Sequence, residues 1–511
     1  VRTALFNWLF ARRHGGTFVL RVDDTDTQRN LDDALAPILD GFRWLGLEWD
    51  EGAEVGGPHA PYYQSQRLGL YQAAVEKLLA RGFAYRDYAR PEETQEERAA
   101  AEAAKVPYIA SRRWAAGNDA ERARFEAEGR TFAVRLKMPR EGVCRIDDLV
   151  RGTVESEWSA EADHVIQRAD GTCLYHLASV VDDVEMAITH VIRAEEHLPN
   201  TPRQIFIFEG LGAALPAFAH LPVVAEPGSR VKLSKRKLDK YLKNPEFAEL
   251  YRHGRRIADR LGLEVSPETF NPVITDFYRI AGFLPEAILN YLLLLGWSLD
   301  DHTEMLSAAE RIGHFSLDRV NRSAASFDPK KLLSFQERYM QALAVEARLE
   351  LVLPFLVQAG WLSSPLAAPE VERVRGIVAA AADRIKVAGD ILDYDEFFVA
   401  DEAIRYDEKA FDKRIRSAPG AVGLLAALRT ELAALPSFDA ASLEQLFADF
   451  VAARGLGLGA IVHAARVAVT GKAVGFGLFD ILALLGRERV LARLARIDRL
   501  VESPAAAPAE S

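Results

Sequence analysis

Two patterns predict an α/β protein with a split parallel sheet, followed by an all-helical region. The first is at the start. Residues 3–13, TALFNWLFARR, read as an amphipathic helix that stops at Gly15-Gly16, and TFVLRV at 17–22 follows at once as a short buried strand. A helix feeding directly into a strand is the back half of a βαβ unit, whose earlier parallel strand would lie ahead of Val1. The second pattern comes some 140 residues later. There DHVIQR (163–168), CLYHLASVVDDVEM (173–186) and THVIRAEE (189–196) alternate apolar runs with turns, and a helix follows at 201–213. Two halves separated in this way match a split Rossmann-type nucleotide-binding domain with an α/β insertion. From about residue 245 helical periodicity takes over, punctuated by Pro354, Pro365, Pro369, Pro419 and Pro436.

Between the halves, 31–48 and 66–82 read as helices and GFAYR (82–86) as a strand. The Ala-, Glu- and Arg-rich stretch 91–130 suits exposed helices, whereas FAVRLKMP (132–139) and the alternating residues 143–158 read as strands. The expected organisation is therefore a split catalytic domain at 1–60 and 161–225 and an insertion at 61–160. A linking region at 226–310, helical subdomains at 311–380 and 381–501, and a disordered tail at 502–511 complete it.

Composition narrows the class. A chain of 511 residues is too long for one core and, at roughly 150 residues per domain, predicts three or four units. The strongest apolar run, Ala287–Trp297, is too short to span a bilayer, so no membrane role is expected. Two cysteines, Cys144 and Cys173, support neither a disulfide framework nor a Cys-rich zinc site, which fits a reducing cytoplasm. A formal charge of −11 argues against indiscriminate nucleic-acid binding. It leaves room for local basic fields, at Arg112-Arg113, 230–243, Arg252–Arg260, Lys413–Arg416 and Arg487–Arg499.

The densest of these, RVKLSKRKLDKYLK (230–243), places seven Lys or Arg in fourteen positions. Lys232 and Lys235 flank Ser234 at a spacing that suits a loop gripping a triphosphate and stabilising departing pyrophosphate. The same spacing equally suits a solvated basic helix start.

HLPVVAEPGSR (220–230) followed by KLSKR resembles the strand, turn and second nucleotide-binding motif of the glutamyl-tRNA synthetases. RVDDTD (21–26) resembles that family's Arg-x-Glu-Asp-Thr-Asp, and LYHLASVVDD (174–183) and THVIRAEEHLPNTP (189–202) its substrate-pocket strands. FLPEAILNYLLLLGWS (283–298), FDPKKL (327–332), DRIKVAGDILDYDEFF (383–398) and 463–494 follow in the family's order, covering nearly the whole chain.

The resemblance implies a bacterial-type glutamate–tRNA ligase of the cytoplasm, monomeric, with a helical anticodon-binding region. It would activate L-glutamate with ATP and Mg2+ and pass it to the 3′-terminal adenosine of tRNA(Glu). No zinc is implied, since Cys144 is alone in the insertion. By the same resemblance Lys235 and Lys232 would be the catalytic lysines on ATP, assisted by Ser234, Arg236, Glu196, His197 and Val224, the last beside adenine. Arg193 would grip the substrate carboxylate, with an ion pair to Glu195 or Glu196 as the alternative reading. Tyr175 and Ser179 would line the glutamate pocket and Asp23 would meet the amino group. Three positions depart from the family: Asp23 stands for a Glu, Ser179 for a common Asn and His197 for a Trp. Asp24 and Asp26 could instead cap the following helix. Arg489, Arg493 and Arg496 share a helix face and could meet tRNA phosphates, or form a solvated face.

Two further features set expectations. The family's first signature, a Pro-Ser-Pro-Thr-Gly turn and a His-x-Gly-His-like helix start, would precede Val1, so the sequence reads as N-terminally truncated. The stretch after Arg236 is longer than usual and adds PEFAELYRHGRRIADRL, either an RNA-backbone helix or a surface insertion. A catalytically inactive tRNA-binding remnant and a glutaminyl-tRNA synthetase are the rival functions. A helical rather than β-barrel C-terminal half disfavours the second.

Overall fold

The first helix, α1 (Arg2–Arg13), buries Leu5, Phe6 and Leu9 on one face and carries Arg12 and Arg13 in its last turn, where cations complement the helix dipole. The chain turns at Gly15 (φ +62°) into β1 (Val19–Leu20). A computed structural model describes residues 1–24 and 31–502. Asp26 and the tail at 503–511 lie outside the described residues. After α2 (Leu31–Trp44), β2 (Glu51–Gly52) pairs parallel with β1, Val19 opposite Glu51. Gly52 is required there: at φ +144° a Cβ would stand 2.3 Å from the Leu20 carbonyl oxygen.

Helix α3 (Leu68–Ala80) and β3 (Ala84–Asp87) follow. Helix α4 (Pro91–Ala103) buries no side chain and α5 (Asp119–Ala127) only Phe125, the exposed helices their composition predicts. Strand β4 (Ala133–Leu136) joins β3 antiparallel. The hairpin β5 (Val143–Asp148) and β6 (Gly152–Glu157) comes next, and then β7 (Val165–Gln167), which pairs antiparallel with β4.

Helix α6 (Tyr175–Glu185), β8 (His190–Ala194), α7 (Thr201–Leu211), β9 (Ala217–Leu221) and β10 (Val224–Ala225) complete this part of the chain. Strands β8 and β9 are parallel, and the sheet order is β6-β5-β9-β8. Cys144 and Ile146 of β5 and Phe218 of β9 pack with Ile205 of α7, whereas the β3-β4-β7 sheet shares its core with Val75 and Leu78 of α3, Leu177 and Val180 of α6 and Ile207 of α7, all essentially without solvent exposure.

One expectation is corrected. LYHLASVVDD, read among the substrate-pocket strands, is helix α6. Leu177 through Asp182 are all buried, and a helix covered on every side shows the continuous apolar run of a buried strand. The residue 143–158 strands do form, but β5 pairs parallel with β9 at Asp148 opposite Phe218. The hairpin is thus an edge of the β8–β9 sheet rather than part of the β3-β4-β7 sheet.

The chain divides into two compact units, Val1–Ser234 with Ile288–Asp328, and Lys235–Ala287 with Pro329–Ser511. The second starts with α8 (Leu238–Tyr241), α9 (Pro245–Arg260) and α10 (Thr275–Ala281). Then α11 (Pro285–Leu294) leads back into the first unit, which adds α12 (Ala308–His314) and β11 (Ala325–Ser326), paired parallel with β10.

The second unit continues with α13 (Pro329–Ala342), α14 (Val345–Gln358), α15 (Ala368–Ala381), α16 (Glu408–Phe411), α17 (Ala421–Ala434) and α18 (Ala440–Ala452). It ends with α19 (Gly459–Thr470), α20 (Leu478–Leu485) and α21 (Arg487–Glu502).

Helix α9, expected on RNA or as a surface insertion, is a core helix of this unit. Phe247, Leu250 and Ile257 are fully buried, and Gly254 lets the Phe277 ring approach where a Cβ would meet it at 2.5 Å. Its basic edge is answered within the unit: His253 reaches Asp390 at 2.5 Å, Arg256 reaches Asp393 at 3.1 Å and Arg260 reaches Asp393 at 3.5 Å.

Candidate active site

Helix α1, strand β1, helix α6 and strand β8 surround a cavity of about 970 Å³, within the range of small-molecule sites. Asp23, Tyr175, Ser179 and Arg193, four residues singled out from sequence, all line it, together with Arg21 and Asp183. Their positions follow from local structure. Tyr175 and Ser179 stand one turn apart on α6, at the i, i+4 spacing that shares a face. Tyr175 is 37% exposed and Ser179 only 5%. Arg193 sits next to the end of β8, opposite His220 of β9.

The environment of Arg193 is unusual for a buried cation. Its Nε donates to His220 Nε2 (3.0 Å), and its Nη2 donates to Thr201 Oγ1 (2.9 Å) and the His197 carbonyl (3.4 Å). All three acceptors are uncharged groups. The carboxylates that could have paired with it are engaged elsewhere: Glu195 with Arg151 and the Val223 amide, Glu196 with Lys232. Among the described residues no carboxylate lies within ion-pair distance of Arg193, so the alternative pairing with Glu195 or Glu196 is not what the structure shows. Burial lowers the pKa of Arg193, although Tyr175, Asp183 and Asp148 act in the opposite direction. Electrostatically, such a group favours an anionic ligand.

Across the cavity Asp23 pairs with Arg21 (2.8 Å), which also holds Asp183 (2.8 Å) and approaches Asp182 (3.6 Å). Burial pushes the Asp183 carboxyl up despite that arginine. Asp182, with no exposure, is locked by Arg67 (2.6 Å), Gln64 (2.9 Å) and Tyr71. Among the described residues Asp24 accepts from the Ser65 amide (2.7 Å) and hydroxyl (2.5 Å), pinning the short turn before α3.

The lysine-rich loop starts as a narrow return. Leu233 N–H donates to Val224 O (2.8 Å), Glu226 N–H donates to Val231 O (2.8 Å), and Gly228 turns the chain at φ +66°. The Val224 carbonyl is thus engaged inside the loop. Lys232 Nζ lies 2.8 Å from both oxygens of Glu196, and His197 Nε2 lies 3.8 Å from the same carboxylate. Burial depresses the His197 pKa. Ser234 is the last residue of the first unit in this loop. Lys235 and Arg236, both exposed, open the second in the short turn Lys235–Lys237.

The arginines expected on tRNA phosphates are differently placed. Arg489 and Arg493 both donate to Asp401 (3.0 and 2.7 Å). Arg493 also reaches the Val469 and Glu396 carbonyls (2.6 and 2.7 Å), and Arg496 reaches the Asp401 carbonyl (2.6 Å). The Arg493 side chain has 0% exposure, which corrects the expectation of a phosphate contact for it. The shared face predicted from the spacing exists, but it points inward.

Sequence reasoning passed over Arg21, Asp183 and His220. Arg21 and His220 lay inside the quoted stretches RVDDTD and HLPVV, but nothing in those strings shows that one bridges three carboxylates and the other backs Arg193.

The family described as "tRNA synthetases class I (E and Q), catalytic domain" matches residues 1–252, and that described as "Anticodon binding domain" matches 347–497. The glutamate–tRNA ligase of Moorella thermoacetica is 41% identical over 500 residues, covering 98% of this chain and 95% of the relative. That of Desulforudis audaxviator is 40% identical, covering 97% and 92%. The crystal structure of the glutamate tRNA ligase from Elizabethkingia meningosepticum, in complex with its amino acid, superposes with a TM-score of 0.83 at 30% identity, covering 98% of this chain and 96% of that one.

Proposed function

We infer the chemistry from one premise: the chain belongs to the glutamate–tRNA ligases of the class I tRNA synthetases. It is an ATP-dependent ligase that joins glutamate to tRNA, and Arg193, which lines the cavity with no carboxylate paired directly to it among the described residues, is the observation that best supports a carboxylate-bearing substrate there. Glutamate carries two carboxylates. The one that reacts must keep its nucleophilicity, so Arg193 holds the side-chain carboxylate and leaves the α-carboxylate free. Tyr175 and Ser179 shape the wall against which the substrate lies, and Asp23, already polarised by Arg21, accepts from the ammonium group.

An α-carboxylate oxygen attacks the α-phosphorus of ATP in line. The bond from that phosphorus to its bridging oxygen breaks, and pyrophosphate leaves with the electron pair. A ribose hydroxyl of the last adenosine of tRNA(Glu) then attacks the acyl carbon, and AMP leaves. No protein nucleophile is needed; the catalytic power lies in positioning and in stabilising developing charge. Lys232 and Lys235, with Ser234 and Arg236, supply that charge at the phosphates. Lys232 must exchange its Glu196 partner for phosphate, so Glu196 serves as its resting counter-ion. Val224 and His197 stand beside adenine.

Magnesium, when bound, neutralises phosphate charge. Among the described residues no group of three or more His, Cys, Asp or Glu forms a cage. That fits an ion carried by the triphosphate and water, the usual habit of Mg2+ in phosphoryl sites. The helical region 347–497 recognises the anticodon end, and the protein acts as a cytoplasmic monomer.

The test is glutamate attachment to tRNA(Glu) by the protein expressed from its whole gene, alongside Lys235→Ala. The variant should lose adenylate formation by about 10²–10³-fold while tRNA binding persists. Equal loss of both would make the loop structural, and no glutamyl-tRNA from the wild type would end the reading.

A further inference from the structure

We propose that Asp148 and His220 form a positioning relay that fixes Arg193 for its anionic ligand without neutralising it. The inference deepens the proposed function and rests on Arg193 being a substrate-binding group. Three neighbouring strands set the residues in a row: Asp148 ends β5, His220 lies on β9 and Arg193 on β8, with β9 in the middle. The side chains of Asp148 and His220 are completely buried, and their Oδ2 and Nδ1 atoms are 2.6 Å apart.

The proton positions follow from what each partner can do. Asp148 Oδ1 accepts the amides of Val150 (2.9 Å) and Arg151 (2.7 Å), and Oδ2 accepts the His220 amide (3.0 Å). Burial pushes this carboxyl up, but the hydrogen bonds from the His220 ring and these amides outweigh it and hold the pKa below the ordinary value. Asp148 is therefore ionised and can only accept, so Nδ1 of His220 carries hydrogen. On the other side of the ring, Arg193 Nε offers hydrogen and can only donate, so Nε2 carries a lone pair. His220 is a neutral imidazole in a single tautomer.

The arrangement separates holding from neutralising. The edge of the guanidinium formed by Nε and Nη2 is fastened by His220 and Thr201, while the nearest carboxylate of the relay stays one imidazole away. These contacts leave Nη1 over, and Tyr175, also on the cavity wall, is a hydrogen-bond and electrostatic neighbour of the guanidinium, again an uncharged partner. A direct Asp–Arg pair would hold the arginine equally well but would compete with the substrate for its charge. An imidazole acceptor does not.

The experiment measures glutamate KM, ATP KM and kcat in glutamate-dependent ATP–pyrophosphate exchange on the full-length protein, for wild type, Asp148→Asn, His220→Leu, His220→Gln and Arg193→Ala. Asp148→Asn turns an NH2 group toward Nδ1 and reverses the tautomer, placing N–H against N–H at Arg193. That variant and His220→Leu should raise glutamate KM by about 10–100-fold, the value of a hydrogen bond to a charged group, with ATP KM within about twofold. His220→Gln, whose carbonyl can accept from Arg193, should recover most of the loss.

Glutamate KM unchanged in both Asp148→Asn and His220→Leu, an equal rise in ATP KM, or His220→Gln no better than His220→Leu would overturn the relay. If Arg193→Ala itself leaves glutamate KM unchanged, the underlying assignment of Arg193 fails instead. Nitrogen NMR of His220 in the wild-type protein supplies a reading independent of variant folding: hydrogen on Nδ1 is expected, and hydrogen on Nε2 overturns the proposal.

Discussion

Arg193 in the α/β unit and Arg493 in the helical unit are both buried arginines whose pKa burial lowers, yet their surroundings are opposite. Arg493 spends its donors on the Asp401 carboxylate and two backbone carbonyls, and Arg489 reinforces the same carboxylate. Arg193 meets an imidazole, a hydroxyl, a carbonyl and the Tyr175 phenol but no carboxylate directly, and it lines a cavity. The first arrangement is a staple, complete in itself. The second has no direct carboxylate partner among the described residues, which is what the proposed role as an anion receptor requires. Burial alone therefore does not mark a functional arginine; the chemical nature of its acceptors does.

The contrast can be broken most decisively at Arg193. Arg193→Ala should cut kcat/KM for glutamate by about 10²–10³-fold, the range for losing one partner of a buried charged contact, while the melting temperature changes little. Pyrophosphate exchange and calorimetry read the two effects, and a large stability loss with intact glutamate affinity would reverse the assignment. Arg493→Leu should do the opposite. Removing one partner of a buried pair costs about 3–5 kcal/mol, lowered here because Arg489 still faces Asp401, and denaturant unfolding should show it with glutamate activation unchanged.

A third prediction sharpens the contrast along the pH axis. Burial, with help from Arg203 and His164, depresses the His176 pKa to about 4, and its Nδ1 is buried without a partner. Between about pH 6.5 and 4 the unfolded chain then binds the proton that the folded one refuses, so stability falls as pH drops through that window. After allowance for solvent screening the effect is on the order of 1–2 kcal/mol, and His176→Gln should flatten the slope of unfolding free energy against pH. The smallest effect is expected at the half-exposed Arg256. Arg256→Ala should cost no more than about 1 kcal/mol and leave the salt dependence of tRNA binding unchanged, since its partners are Asp390 and Asp393. A reduced salt slope would return α9 to the RNA interface.

Much of this was legible in the chain itself. Local periodicity placed α1, α3, α7 and the 143–158 hairpin where they fold. The motif order singled out four residues that turn out to line one cavity. What failed shares a cause. The α6 segment looked like a strand because covering on all sides hides the helical period. Helix α9 and the arginines of α21 looked solvent-facing because a basic residue reads the same whether water or a buried carboxylate receives it.

The order of residues by itself determined where α1, α3, α7 and the 143–158 hairpin form and which four side chains to look for together, because short-range periodicity and motif spacing are properties of a linear string. Only the tertiary structure decided which charges are satisfied. Asp148, His220 and Arg193 are brought together by strand pairing across 45 and 27 positions of sequence separation, respectively from Asp148 to Arg193 and from Arg193 to His220. Asp401 is likewise brought to Arg493 over 92. Whether a guanidinium ends as staple or as receptor depends on which acceptors those long-range pairings deliver to within about 3 Å, a distance set by the fold and not by neighbours in the chain.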